Sequence, residues 1–510
     1  MSRFLFLITL IFDFGGLNSW SQCPNLVEQF GDHGLVVTNF TSNYDDRASC
    51  SVRKPNGEII VGGYTKVNGS VQRIATAYYK PNGQLNPTII NGGKVIFTSA
   101  GTPQTLQHLK WTANGKLVAG GYIRFLTNDH FLFARFNADG ALDPGFNSYG
   151  WLGTLYHKSE IDEVRSFEIL PSGKIFAVGV INPVYVVPSK NMVLIMLTSE
   201  GIQDSTFADN GMKEIKFVNG VDDIPMCSLL SGSEMLIGGY FDDQHGDVEG
   251  FMIRVNQNGT ILWTKTYQPQ GYKTYITNMI ALTDGNLLAC GFCVDGSNTF
   301  PFLLKVTTTG DVIEEFGESG FVIIDTDGNT RGAKLVETDD SYYLLANLIG
   351  PFNVELYRFF KNGDPDTAFA ESGVMELDNN NKVDDGSGIY WLGGDTLLVT
   401  GTSNNDFALW KVNACTEITG IQIPSNPELI AFPNPVSDFL TIQGFEDIHV
   451  VDKIEIFRPD GSLARNLSSD NYQYTGDRIT IPMNFLKPGA YMVKIQSEKK
   501  MRIFKIVKAE

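Results

Sequence analysis

The sequence predicts an all-β protein built from a ring of like units followed by a small β-sandwich. Three observations predict it. The phrase KPNGEIIVGGY (Lys54–Tyr64) recurs in recognisable form seven times. Each unit contains four strand-length runs rich in β-branched and aromatic residues, split by Asn-Gly and Asp-Gly turns. No segment carries an apolar period of helical spacing, so helix content should be slight. Seven units of four strands point to a seven-bladed β-propeller, an architecture that leaves only short sheet edges.

The copies are TANGKLVAGGY (Thr112–Tyr122), LPSGKIFAVGV (Leu170–Val180), LSGSEMLIGGY (Leu230–Tyr240), LTDGNLLACGF (Leu282–Phe292), TDDSYYLLANL (Thr338–Leu348) and LGGDTLLVTGT (Leu392–Thr402). Aligned on the turn residues Gly57, Gly115, Gly173, Ser233, Gly285, Ser341 and Asp395, they step by 58, 58, 60, 52, 56 and 54 residues. A period of that size marks units that cannot bury their apolar faces alone. At the strand end the register reads Gly63, Gly121, Gly179, Gly239, Gly291, Asn347 and Gly401. That set is expected where the backbone takes a positive φ or a bulge.

In the second unit the runs are GKVIFT (Gly93–Thr98), TLQHLKW (Thr105–Trp111), KLVAGGY (Lys116–Tyr122) and FLFARFN (Phe131–Asn137). A second turn glycine follows at Gly83, Gly140, Gly201, Gly259, Gly310 and Gly363. Beyond it a Phe-x3-Gly linker recurs at Phe30, Phe146, Phe207, Phe316 and Phe369, with Asp143, Asp204 and Asp366 each three residues earlier. Written as NGKLVAGGY, FLFARFNADG and DPGFNSYG, these motifs resemble the delta-60 repeat family of bacterial propellers over about Phe30 to Lys411. Trp263 and Cys415 depart from the linker pattern.

Met1–Ser21 reads as a secretory signal, with Arg3, the apolar run FLFLITLIF, and Ser19 and Ser21 at the small-residue cleavage positions. The run is too short to span a bilayer, and no later stretch approaches a transmembrane length. Residues 22–415 then form the propeller. Cys23 and Cys415 enter and leave the repeat at nearly one phase, so a closed ring brings them together, and export supplies an oxidising compartment. A Cys23–Cys415 disulfide clasping the first and last blades is expected, the alternative being two unpaired cysteines. Cys50 and Cys227 hold equal positions in separate units, and Cys290 and Cys293 fall on opposite faces of one strand. No second Cys pair or His pair accompanies them to form a zinc site.

Nothing in the sequence assembles a catalytic set, a cofactor site or a metal site. The six histidines are scattered through different phases of the repeat, without H-x-H or H-E-x-x-H spacing. Asp45/Asp46, Asp162/Glu163, Asp222/Asp223 and Asp384/Asp385 do keep register ahead of their turns. They suit either a cation-binding rim or, as the favoured reading, solvated loop tips. The net charge of −18 lies wholly outside the last domain, where 46 acidic face 28 basic residues; this argues against nucleic acid as a partner.

After a linker at 416–427, residues 428–510 carry 11 acidic and 11 basic side chains and a different all-β pattern. Alternating apolar positions with Pro-rich turns fit an Ig-like sandwich. Pro433, Asn434 and Pro435, then Gly489 and Tyr491 in KPGAYMVKI, then Lys505 and Lys508, closely resemble the C-terminal sorting domain of type IX secretion in Bacteroidetes. The resemblance implies contact with that secretion machinery and delivery to the cell surface or beyond. The expected role is a binding or interaction module whose ligand is a surface glycan or protein. A glycan-acting enzyme with its site at the channel mouth and a structural surface-layer component are the alternatives.

Overall fold

The structure, a computed structural model, describes residues 24–414 less 42–43, 99–102, 157–158, 184–188, 218–221, 243–245, 270, 327–328, 351, 368, 372 and 380–381. It also describes residues 430–509 less 433–435, 444–452, 459–462, 469–470, 476–477 and 498–499. By packing, the chain divides into two units, 1–415 and 416–510. Among the described residues there is no α-helix, only short 3-10 turns.

The strands of the first unit form seven antiparallel sheets. Six are four-stranded meanders in chain order, the result expected when short turns join successive apolar strands. Their first strands are Asp46–Arg53, Gln104–Trp111, Ser159–Ile169, Asp222–Ser231, Lys273–Ala281 and Asn329–Glu337. The seventh sheet begins with Asp384–Gly393. Each of these first strands packs against the next, and Asp384–Gly393 returns to Asp46–Arg53, so they ring a central axis. At the closing contact Ser51 Oγ lies 2.8 Å from the Tyr390 hydroxyl and 2.7 Å from Thr400 Oγ1. The Ala48 N–H donates to Thr402 Oγ1 at 2.9 Å.

The seventh sheet takes its outer strands from the start of the chain. Leu35–Thr38 pairs with Asp406–Asn413, as does Asn25–Leu26. Sequence units and sheets are therefore offset by one strand. GKVIFT, which opens the second sequence unit, supplies Lys94–Ile96 as the outermost strand of the first sheet, and Trp151–Thr154 completes the second. The turn chemistry makes the sequence unit, but hairpin continuity makes the sheet.

All seven innermost strands bulge at one place, between Ala48 and Cys50 in the first sheet and at the matching positions in the other six. The recurrent glycine faces the bulge, as Gly63 does Ala48 and Gly291 does Ile276. These glycines do not take a positive φ. A Cβ on Gly63, Gly121, Gly239, Gly291 or Gly401 would instead lie inside the contact radius of a carbonyl oxygen of the bulged strand. The sixth sheet corrects the sequence register. Its turn is one residue shorter, so Ala346 rather than Asn347 occupies the slot, and the glycine has moved across the pair to Gly332.

The remaining repeat residues fasten the turns within each sheet and the contacts between sheets. Lys116 Nζ and Arg135 Nε donate to the same buried Asp143 oxygen at 2.6 and 2.5 Å, so the Lys, Arg and Asp of the sequence motif form one cluster. Lys174 repeats the contact on Asp204 at 2.6 Å. Phe146 is fully buried and lies against the turn Gly201 of the next sheet, where a Cβ would strike the ring. Phe30 does the same at Gly83, Phe316 at Gly363, and Trp263 at Gly310. Trp263 thus fills the phenylalanine slot that its sequence context disguised.

The second unit has two four-stranded antiparallel sheets. Alternate residues Leu440 and Ile442, Ile454 and Ile456, Ile479 and Ile481, and Val493 and Ile495 bury into one core with Val436, Met483 and Ile506.

Candidate functional site

The starts of the innermost strands surround one mouth of the ring, a cavity of about 550 Å³ with walls from all seven sheets. Two residues before each bulge stands a buried polar group: Asp46, Gln104, Asp162, Asp223, Thr274, Thr330 and Asp384. The carboxylates there tie down the incoming chain. Asp46 accepts the Phe40 N–H at 2.6 Å, Asp162 that of Tyr156 at 2.6 Å, Asp223 that of Phe217 at 3.3 Å and Asp384 that of Asn379 at 2.8 Å.

The acidic pairs are therefore not solvated loop tips. One member of each is interior, and the other is engaged by protein. Lys66 reaches Asp45 at 2.5 Å, Arg165 reaches Glu163 at 2.9 Å, the Lys190 N–H meets Asp222 at 2.7 Å and Asn347 Nδ2 meets Asp385 at 2.5 Å. Among the described residues no three His, Cys, Asp or Glu side chains gather as metal ligands. Burial pushes the Asp223 carboxyl up to about 7, and the same cause raises Asp46, Asp384 and Asp385.

One residue nearer the bulge, the sheets diverge: Arg47, Thr105, Glu163, Ile224, Tyr275, Arg331 and Asp385. Across the strand pair from them stand Tyr64, Tyr122, Val180, Tyr240, Phe292, Asn347 and Thr402. The aromatic members form an arc. Tyr240 meets Tyr275 edge-on with ring centroids 4.8 Å apart, Tyr275 stacks on Phe292 at 4.5 Å, and the Arg331 guanidinium lies 4.7 Å over Phe292.

Just past the bulge, half-buried Lys334 reaches toward the axis. Its ammonium acts on the thiols of Cys50, Cys227 and Cys290 and on the imidazole of His108, groups in four different sheets. His108 packs edge-on against Phe167 at 5.1 Å, and burial holds it neutral, well below the ordinary range. Cys50, Cys227, Cys290 and Cys293 are buried and free, and burial pushes the Cys50, Cys227 and Cys293 thiols up to about 12. Such thiols are poor nucleophiles. Cys290 and Cys293 enter separate core clusters, on opposite faces of their sheet.

In the second unit Gly489, at φ 150°, pairs with Lys508, and the residues flanking Lys508 tie back to Val436, whose carbonyl accepts the Ala509 N–H at 2.8 Å. The Tyr491 hydroxyl donates to the Lys487 carbonyl at 3.0 Å. Lys505 pairs through its backbone with Met492. Pro433, Asn434 and Pro435 lie outside the described residues, as do Cys23, Cys415 and the leader.

Comparison with known proteins agrees with both units. Residues 430–509 match the family described as the secretion system C-terminal sorting domain. Residues 54–88 and 112–146 match a β-propeller domain family of unknown function, DUF5122. No curated protein matches the chain. Among solved structures, a protein of unknown function from Dyadobacter fermentans is similar at 13% identity, over 62% of this chain and 93% of its own, with a TM-score of 0.41. Chaetomium thermophilum Sqt1 is similar at 13% identity, over 74% and 98%, with a TM-score of 0.36. A PQQ-bound aldose sugar dehydrogenase from Streptomyces coelicolor is similar at 11% identity, over 74% and 97%, with a TM-score of 0.35. The chain carries a β-propeller and a type IX sorting domain, and is exported to the cell surface or secreted.

Proposed function

We propose that this type IX cargo is a seven-bladed propeller that works as a binding module at the cell surface, with the ring mouth as its ligand seat. The observation that carries the reading is the mouth itself: open, within the usual size of a ligand pocket, and lined by side chains from every sheet. A plugged apolar axis would have favoured a scaffold. A glycan-acting enzyme would need two convergent free carboxyls, whereas the acidic residues of the mouth are held by backbone N–H groups, Asn347 or Arg165. A glycan array probed with the purified full chain, followed by a reducing-end hydrolysis assay, separates the three roles. Binding without turnover is expected; turnover would replace this reading with the enzyme.

In the same proposal Met1–Ser21 is the export leader, 416–427 a linker and 428–510 an Ig-like sandwich addressed to the secretion machinery. Cys23–Cys415 is the ring's clasp. The pairing of Asn25 and Leu26 with Asn413 and Val412, which brings the described ends of the first unit side by side, supports this reading. Denatured, unreduced protein is then expected to titrate four thiols, and reduced protein six. Six without reductant would remove the clasp.

A further inference from the structure

We propose that the ring mouth selects an acidic glycan, a sugar chain bearing carboxylates, with Lys334 and Arg331 as the residues that meet the acid. The inference rests on the binding role argued above and adds the ligand class.

Charge placement starts the argument. Residues 1–427 hold an excess of 18 acidic residues, yet Arg47, Arg165, Arg331 and Lys334 all line the mouth. Two of these cations are already engaged. Arg165 pairs with Glu163 at 2.9 Å, and Arg47 reaches Asn405 at 3.4 Å and faces Asp385. The opposing carboxylates are engaged as well, Asp384 by Asn379 and Asp385 by Asn347. Arg331 and Lys334 have no salt bridge among the described residues. A half-buried ammonium without a counter-ion loses hydration and gains nothing in return, unless a ligand supplies the anion.

The neighbouring surface says what carries that anion. Arg331 lies over Phe292 with its ring partners Tyr275 and Tyr240 beyond, so a guanidinium fork sits at the end of an aromatic arc. A fork of that kind matches a carboxylate through two parallel hydrogen bonds. Phe292 lines the mouth beside Arg331 and offers apolar area suited to the C–H groups of a pyranose. In the same sheet as Arg331, Phe352 is 49% exposed and held at φ 61°, a conformation that a bulky side chain adopts only when its surroundings impose it. The Asp384 N–H fixes it by donating to the Phe352 carbonyl at 2.6 Å. Cations at the axis with aromatic faces on the rim describe a uronate-type chain better than a neutral glycan or an isolated small anion.

The test uses the purified full chain with polygalacturonate and its fully methyl-esterified form, which share a backbone and differ only in carboxylate charge. Binding is read by calorimetry. The acid form is expected to bind at least about tenfold more tightly, the scale of one charge-assisted contact. Lys334→Gln and Arg331→Gln should each weaken it about tenfold, and Lys334→Arg should retain most of it. The melting temperature of Lys334→Gln should hold or rise, because the change removes an uncompensated charge; this separates lost binding from lost folding. Equal binding of both polymers, or acid binding indifferent to Lys334 and Arg331, overturns the acidic preference. If neutral polymers still bind and Phe292→Ala abolishes it, the mouth remains a ligand seat. Absence of binding to either polymer and across the neutral array overturns both proposals.

Discussion

The rim of the wheel and its mouth are built from the same strands and differ in how faithfully they repeat. At the rim, Asp143 gathers Lys116 and Arg135, Asp204 takes Lys174, and Phe30, Phe146, Phe316 and Trp263 each lie on the next sheet's turn glycine. At the mouth, the slot one residue before the bulge holds seven positions with arginine, threonine, glutamate, isoleucine, tyrosine and aspartate among them. Repetition follows packing, because every sheet must solve the same contact with its neighbour. A ligand on the axis sees all seven strands at once and asks something different of each. Under the binding role proposed above, departure from the repeat marks the side of the molecule that faces a partner.

The comparison breaks most sharply at the bulge. Gly291→Val drives a branched side chain into the Tyr275 carbonyl and should cost about 4 kcal/mol or prevent folding, read as a fall in the denaturation midpoint. Next comes the rim cluster. Asp143→Ala leaves Lys116 and Arg135 without their shared partner and should cost about 3 kcal/mol by the same measurement.

Asp223 gives a smaller effect with a distinctive pH signature. Its carboxyl is raised to about 7 by burial, above the unfolded value, so its contribution to stability is full at low pH and is lost as pH rises toward 7. Asp204, lowered to about 2 chiefly by Lys174, behaves oppositely and loses its contribution only as pH falls below the ordinary carboxylate range. Asp223→Asn keeps an acceptor for the Phe217 N–H and should gain on the order of 2 kcal/mol over wild type at pH 8, the gain shrinking by pH 5. A gain that does not vary with pH would show that the carboxyl is not the titrating group. Smallest of all, Arg331→Gln at the mouth should move stability by less than about 0.5 kcal/mol, as expected of an exposed side chain.

Much of this was legible in the sequence because the repeat is local chemistry. Turn dipeptides, strand-length apolar runs and a glycine recurring at the strand end in six of seven units need no tertiary information. Three readings failed where a neighbour in space decided the outcome. Asn347 fell out of register because a shorter turn moved the slot to Ala346, with Gly332 compensating on the other strand. Trp263 looked like a broken linker, yet it fills the same space as phenylalanine on Gly310. The paired acids looked solvated because charge in a loop usually is, whereas the backbone N–H groups of Phe40, Tyr156, Phe217 and Asn379 draw one carboxylate of each pair inside. For the mouth, Arg331 and Lys334 carried no sequence signal beyond their departure from the repeat.

By itself the sequence determined an all-β chain, its period, its sorting domain and the residues that lock neighbouring units, since each depends on contacts a short stretch specifies. Only the tertiary structure decided which strand lines the axis, which sheet receives the first strands of the chain and which charges meet at the mouth. Those outcomes depend on closing a ring, which places residues hundreds of positions apart on adjoining strands, and no local pattern encodes that neighbourhood.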